Sequence, residues 1–312
     1  MLEAVSLHKR YGPIHAVRGI SFRVEKGEVL GFLGPNGAGK STTMRMAAGF
    51  LPPTSGTALV GGHDVIREPV AAKKLLGYLP ENAPVYGDMV VENFLRFVAD
   101  IRGYRGQDRA RRVDAAIETC HLQEVRHQPV ETLSKGYKHR VCFAQAILHD
   151  PPVLIMDEPT DGLDPNQKHV VRTMIKSMSS QKAIIISTHI LEEVDAVCTR
   201  AIIIGSGQIV ANGTPKELKA RSPSHGAVEL TLREASPEAE NELRRLRCAA
   251  RVAAEGGVYT VFPRKDENVL PDVTALVHDR GWQPVGMRVL EGRLDEVFRD
   301  LTVGMEQVRK AN

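Results

Sequence analysis

The chain has 312 residues, enough for about two domains. Its 42% hydrophobic and 25% charged side chains exclude wholesale disorder. A formal net charge of +3 is too small to argue for a nucleic-acid partner. The start, MLEAVSLHKRYG, has no signal-peptide layout, and no apolar run reaches about eighteen residues, so the chain is not expected to span a membrane. Cys120, Cys142, Cys198 and Cys248 stand far apart without metal-ligand spacing. They are expected as reduced core thiols, which fits a cytoplasmic compartment.

Residues 2–33 alternate and break as short strands: LEAVSL, IHAVRGISFRV and, after the turn EKG, EVLGFLG. GPNGAGKST then fits G-x-x-x-x-G-K-[ST] at Gly34, Gly39, Lys40 and Ser41. It stands between a strand (29–33) and a helical pattern through KSTTMRMAAGF, the context in which that spacing has a mechanism. Glycines let the loop Gly34, Pro35, Asn36, Gly37, Ala38, Gly39 curl so that N–H groups point inward. The helix start at Lys40, Ser41 and Thr42 adds the positive end of its dipole. Lys40 can then reach the β- and γ-phosphates of a nucleotide, and the Ser41 hydroxyl is a hard oxygen ligand for Mg²⁺.

LPPTSG closes that helix, and short strands return over 57–80 in GTALVGG and LLGYLP. From about Val90 to Asp150 the pattern is mostly helical, with polar and basic faces around ADIRGYRGQDRARRVDAAIETC. VLIMDEPT then runs four apolar residues into Asp157 and Glu158, and a proline stops the run. Such a run reads as a buried parallel strand, and two carboxylates at its rim are costly unless they face a cation or a substrate. Beside the phosphate cradle, Asp157 can hold Mg²⁺ directly or through water, and Glu158 can orient and polarise an attacking water. A helix from about Asn166 to Ser179, the strand KAIIIST, a helix from Ile190 and the strand RAIIIG complete a mainly parallel α/β sheet with a helical insertion.

ARSPSHG, 220–226, is linker-like in composition. Beyond it, AVELTLRE, SPEAENELRRL, CAARVAAE, GVYTVFP, NVLPDVTALVHDR and GWQPVGMRVL follow the β-α-β-β-α-β order of ferredoxin-like folds. A last helix, RLDEVFRDLT, and a short basic tail end the chain. The expected organisation is a nucleotide-binding domain over 1–220 with its helical subdomain at about 81–150, a linker at 221–226, and a small α+β domain over 227–312.

TLSKGYKHRVCFAQAIL, 132–148, lies just upstream of the acidic strand, and its Leu133-Ser134-Lys135-Gly136-Tyr137 resembles the signature motif of ABC-type ATPases. With every other motif in order over residues 1 to about 220, the chain resembles the ATP-binding subunit of an ABC transporter. That resemblance implies ATP and Mg²⁺ as cofactors and a catalytic set of Glu158, His189 and Lys40. Tyr11 in KRYG matches the aromatic that stacks on adenine, His189 in STHI the switch histidine at the γ-phosphate, and Asp164 in GLDP the loop crossing between nucleotide sites. Ser134 and Gly136 would meet the nucleotide held by a second copy.

Two positions depart from the family pattern. Lys135 and Tyr137 replace a glycine and the glutamine of the signature, and Glu81 in GYLPEN stands where a glutamine is usual. Glu81 is either a further Mg²⁺ ligand or a tolerated polar substitute. GYLPENAPVYGDMVV together with LSKGY is most similar to the ABC-2-type exporter branch that includes gliding-motility-associated systems. The resemblance implies a homodimer clasping two ATP molecules and driving a separate multi-span membrane permease, with the chain held at the cytoplasmic face of the membrane. The C-terminal domain would be an accessory or dimerisation unit. A soluble ABC-type ATPase acting on DNA or ribosomes is the alternative, but the chain has neither sustained heptads nor a second cassette.

Overall fold

The structure is a computed structural model that describes residues 1–301 other than Ala83, Ala235 and Asp266. Residues 302–312, with the last position of the expected C-terminal helix and the basic tail, lie outside the described residues. The chain divides into two compact units, Met1–Thr214 and Pro215–Asn312.

The first unit opens with β1 (Leu2–Tyr11), β2 (Ile14–Val24) and β3 (Val29–Leu33), followed by α1 (Lys40–Ala47). Next come β4 (Ser55–Val60), β5 (His63–Asp64), α2 (Pro69–Lys74) and β6 (Leu76–Leu79). The strand pattern of 57–80 does not announce α2, a short helix with Pro at its start, where the fixed proline φ suits the first turn. The helical insertion holds α3 (Val91–Ile101), α4 (Gly106–Thr119) and α5 (Lys135–Ile147). β7 (Val153–Asp157), α6 (Pro165–Ser179), β8 (Ala183–Thr188), α7 (Leu191–Val197), β9 (Arg200–Gly205) and β10 (Gln208–Gly213) complete it.

Strands β2, β1, β4 and β5 form one antiparallel sheet, and the larger sheet has the order β10-β9-β3-β8-β7-β6. In that sheet β9, β3, β8, β7 and β6 run parallel, and β10 closes one edge antiparallel to β9. Every residue of β3, β7 and β8 is buried, as expected where helices or a second sheet cover both faces. Leu33 pairs with Thr188 and Asp157 with Ser187, so the ends of β3, β7 and β8 finish at one rim. Ligand sites of open parallel sheets form beyond such carboxyl ends.

Within the insertion, Glu92 of α3 is buried and its carboxylate receives two hydrogen bonds from Arg126, at 2.9 and 2.8 Å. That pairing, only partly offset by burial, holds the Glu92 carboxyl below the usual carboxylate range. Its stabilisation is therefore present above the unfolded-state pKa and lost as pH falls through the folded one. Glu92→Ala is expected to destabilise the unit by about 1–3 kcal/mol near neutral pH, since Arg126 keeps some solvent. In thermal melts the difference from wild type should shrink on acidification. A difference unchanged down to about pH 3 would contradict the assignment.

The second unit contains α8 (Pro215–Lys219), β11 (Val228–Leu232), α9 (Pro237–Arg244), β12 (Ala249–Glu255), β13 (Val258–Pro263), α10 (Leu270–Asp279) and β14 (Pro284–Val289). A further helix covers 294–301. The sheet order is β12-β13-β11-β14 with every pairing antiparallel, which gives the β-α-β-β-α-β chain order a single four-stranded layer. Val228, Leu230, Leu243, Tyr259, Val261 and Val273 form its core. The 221–226 segment packs into this unit: Ser222 and Ser224 are buried, and both hydroxyls donate to the Glu296 carboxylate. The division between units falls earlier, at Thr214. All four cysteines are buried free thiols, and burial pushes the Cys142 thiol up to about 12.

Candidate active site

The loop between β3 and α1 is shaped at its end by Gly39, which caps α1 with φ 105°, a left-handed geometry that suits glycine. A Cβ there would also stand 2.7 Å from the Ala16 carbonyl oxygen. Ala38 N–H donates to Pro35 O at 3.1 Å, Thr43 Oγ1 donates to Gly39 O at 2.8 Å, and Gly207 N–H donates to Ala38 O at 3.0 Å. These bonds leave the first turn of α1 without a side-chain cap, so its N–H groups remain available to an anion.

Lys40 is 5% exposed; its Nζ donates to Gly34 O at 2.7 Å and lies 3.5 Å from Glu158 Oε1. Ser41 Oγ donates to Asp157 Oδ1 at 3.0 Å, and Ser187 Oγ donates to the same oxygen at 2.5 Å. Asp157 is fully buried, and its Oδ2 has no hydrogen-bond partner among the described residues. A buried carboxylate oxygen without a donor is costly, and a divalent cation is the partner that fits it. Ser41 and Asp157 therefore fit Mg²⁺, and the Lys40 cation with the loop N–H groups fits a polyphosphate.

Glu158 adopts φ 51°, a left-handed conformation that is sparsely populated outside glycine. Ser187 holds it there, because the Glu158 N–H donates to Ser187 Oγ at 2.9 Å and to Ser187 O at 3.2 Å. His189 Nδ1 lies 2.7 Å from Glu158 Oε2. An ionised carboxylate only accepts, so Nδ1 carries the proton of that bond.

A cavity of about 610 Å³ collects Asn36, Gly37, Gly39, Lys40, Ser41, Thr42, Glu81, Glu158 and His189, together with Ala16 and Asp161. Asp157 lies beside it through Ser41, whereas Gly34, Pro35 and Ala38 of the loop do not line it. Tyr11, Ser134, Gly136 and Asp164 do not line this cavity. Tyr11 is exposed near the β1–β2 turn with Lys9 Nζ 5.3 Å from its ring centroid. Ser134 caps α5 and Asp164 caps α6, each accepting a backbone N–H three residues on, from Tyr137 and Gln167. Gly136 packs against Gln167, and the Lys135 ammonium lies across Gly162, so the starts of α5 and α6 touch.

Sequence reasoning missed Ser187, which ties Asp157 to Glu158, and also Ala16 and Asp161. The signal for Ser187 was present: in IIISTHI two hydroxyl residues end an otherwise apolar strand, where polar atoms need a reason.

Residues 17–161 match the family described as ABC transporter. The chain is 36% identical over 75% of its length to the probable multidrug ABC transporter ATP-binding protein YbhF of Escherichia coli, and it spans 41% of that protein's length. It is 32% identical to the Nod factor export ATP-binding protein I of Ralstonia nicotianae, covering 97% of this chain and 94% of that one. A solved ATP-binding subunit of an ABC transporter is similar with a TM-score of 0.65 at 29% identity, over 71% of this chain and 92% of that one.

Proposed function

The chain belongs to the ABC transporter family of ATP-binding proteins, and from that premise we propose that it binds and hydrolyses ATP, as a homodimer, to power export through a separate membrane permease. The observation that carries the proposal is the convergence of Lys40, Ser41, Asp157, Glu158 and His189 on one rim, with Asp157 Oδ2 buried and unpartnered. The Lys40 ammonium and the loop N–H groups bind and orient the triphosphate. Ser41 and Asp157 hold Mg²⁺, which when bound neutralises phosphate charge. Glu158 aligns the attacking water and accepts its proton, and His189 keeps the carboxylate oriented by its 2.7 Å bond. Ser134 and Gly136, at the start of α5, do not line the chain's own cavity, and in the proposed dimer the α5 N-terminus of a second copy supplies the anion-binding end that completes each site.

An apolar groove of about 890 Å³, lined by Phe50, Val70, Tyr86, Phe94, Phe97 and Val98 among others, supports a partner that docks on the helical insertion. Phe50, Val70 and Phe97 are exposed there. His149, also in its lining, stays neutral near physiological pH because burial pushes its pKa down to about 3. Such a concave apolar surface suits an amphipathic segment of a permease. Among the described residues no helix is long and apolar enough to cross a membrane, so the span would belong to another chain. A relative named for Nod factor export supports outward transport.

The test is detergent extraction of the tagged protein from its native membranes with Mg-ATP. A stoichiometric multi-span protein is expected to co-purify and to be lost in Phe97→Asp, which leaves the nucleotide cavity untouched. Recovery with ribosomes or DNA in place of a membrane protein would favour a soluble ATPase.

A further inference from the structure

Thr188, the last residue of β8, immediately precedes His189, and its hydroxyl makes two hydrogen bonds. Oγ1 donates to Glu193 Oε2 at 2.9 Å and accepts the Ile190 N–H at 3.0 Å. The residue before His189 and the residue after it are thus tied to one oxygen, which closes the backbone turn that carries the imidazole. Glu193 stands in the first turn of α7 and is 1% exposed. Its N–H donates to Ile190 O at 3.2 Å, a second tie to the same turn.

Nothing in the catalytic scheme above uses this carboxylate, yet a buried acid is costly to keep. Burial raises the Glu193 carboxyl pKa, partly offset by the Thr188 hydrogen bond and the Arg172 charge. Among the described residues Oε1 of Glu193 has no hydrogen-bond partner, and neither has the buried Nε of Arg172. Arg172 Nη2 lies 3.8 Å from Oε1, reaching over from α6, the helix that Asp164 caps. A closely packed apolar side chain would fill the same space without the desolvation cost. What an apolar side chain would not supply is an acceptor for the Thr188 hydroxyl.

We propose that Glu193 is a positioning residue for His189: it orients the Thr188 hydroxyl, which sets the turn that holds the imidazole on Glu158, while Arg172 supplies the cation facing it. The proposal rests on the ATP-hydrolysis reading and adds to it a residue that touches neither nucleotide nor water. The loss therefore falls on the rate and not on substrate binding, since the phosphate cradle is made by other residues.

The test compares wild type, Glu193→Met, Thr188→Val and Thr188→Ser in steady-state Mg-ATP hydrolysis, with melting temperature and nucleotide affinity measured on each. Glu193→Met is expected to keep KM within about threefold and to lower kcat at least about tenfold. Thr188→Val should do the same, and Thr188→Ser, which retains the hydroxyl, should recover most of the rate. In a His189→Ala background, Glu193→Met is expected to change the residual rate less than about twofold, because both changes act at one point. An equal proportional loss in both backgrounds would overturn the assignment, as would a Glu193→Met kcat within about twofold of wild type. Should Glu193→Met melt early, Thr188→Val carries the same comparison with the carboxylate in place. A wild type that binds nucleotide without hydrolysing it would remove the parent reading, whereas an active wild type with unaffected variants would remove this inference alone.

Discussion

Replacing Glu158 with glutamine is expected to lower steady-state ATP hydrolysis about 10²- to 10⁴-fold, the range of a positioned general base, while nucleotide binding survives. Glutamine keeps the volume of a side chain that is 9% exposed and keeps an oxygen that can accept the His189 Nδ1–H. It loses the carboxylate that takes a proton from water. The backbone of residue 158 is held in its left-handed geometry by Ser187 and not by its own side chain, so the substitution should leave the turn in place. It also removes an anion 3.5 Å from Lys40, which relieves repulsion against a bound triphosphate. ATP should therefore remain bound, and the proposed dimer should accumulate. Phosphate release and gel filtration with Mg-ATP measure the two halves separately. A monomer under those conditions would contradict the homodimer, and a rate near wild type would remove Glu158 from the chemistry.

What the sequence shows of this molecule and what it hides follow from the range of the interactions involved. The parallel strands are legible because burial on both faces writes them as unbroken apolar runs, as in VLIMD and AIIIST. The phosphate loop is legible because its chemistry is local, with Gly39, Lys40 and Ser41 adjacent. The pairing of Ser41 with Asp157 spans 116 residues, and only the strand order brings the two together. Ser187 and Thr188 look like ordinary strand-end hydroxyls until the neighbouring strand supplies Asp157 and the following helix supplies Glu193. The apolar groove is hidden for the same reason, since Phe50, Val70, Tyr86 and Phe97 come from separate elements and each alone looks like an unremarkable exposed residue. Segment 221–226 misleads through composition: its serines suit a linker, but Glu296, far along the chain, accepts from both Ser222 and Ser224 and draws them inside.

Replacing Lys40 with methionine should act on the step before chemistry. Methionine matches the length and flexibility of the lysine stem, so the packing of a side chain that is 5% exposed is largely kept. What is lost is a cation that donates to Gly34 O at 2.7 Å and faces Glu158. A charge-assisted bond of this kind contributes about 1.5–3 kcal/mol, so nucleotide affinity is expected to fall about 10- to 100-fold. Glu158 then loses the cation that faces it, and a triphosphate brought beside its carboxylate meets repulsion that Lys40 no longer offsets. The readout is the rise in melting temperature on adding Mg-ATP, which for a ligand at about 100 times its dissociation constant corresponds to about 2.7 kcal/mol. In Lys40→Met the same concentration should give only about 0.4–1.4 kcal/mol, with the full rise returning at about 10- to 100-fold higher concentrations, whereas in Glu158→Gln it should persist or grow. The opposite pairing, with binding lost in Glu158→Gln and kept in Lys40→Met, would mean that the cavity does not hold its nucleotide by the phosphates.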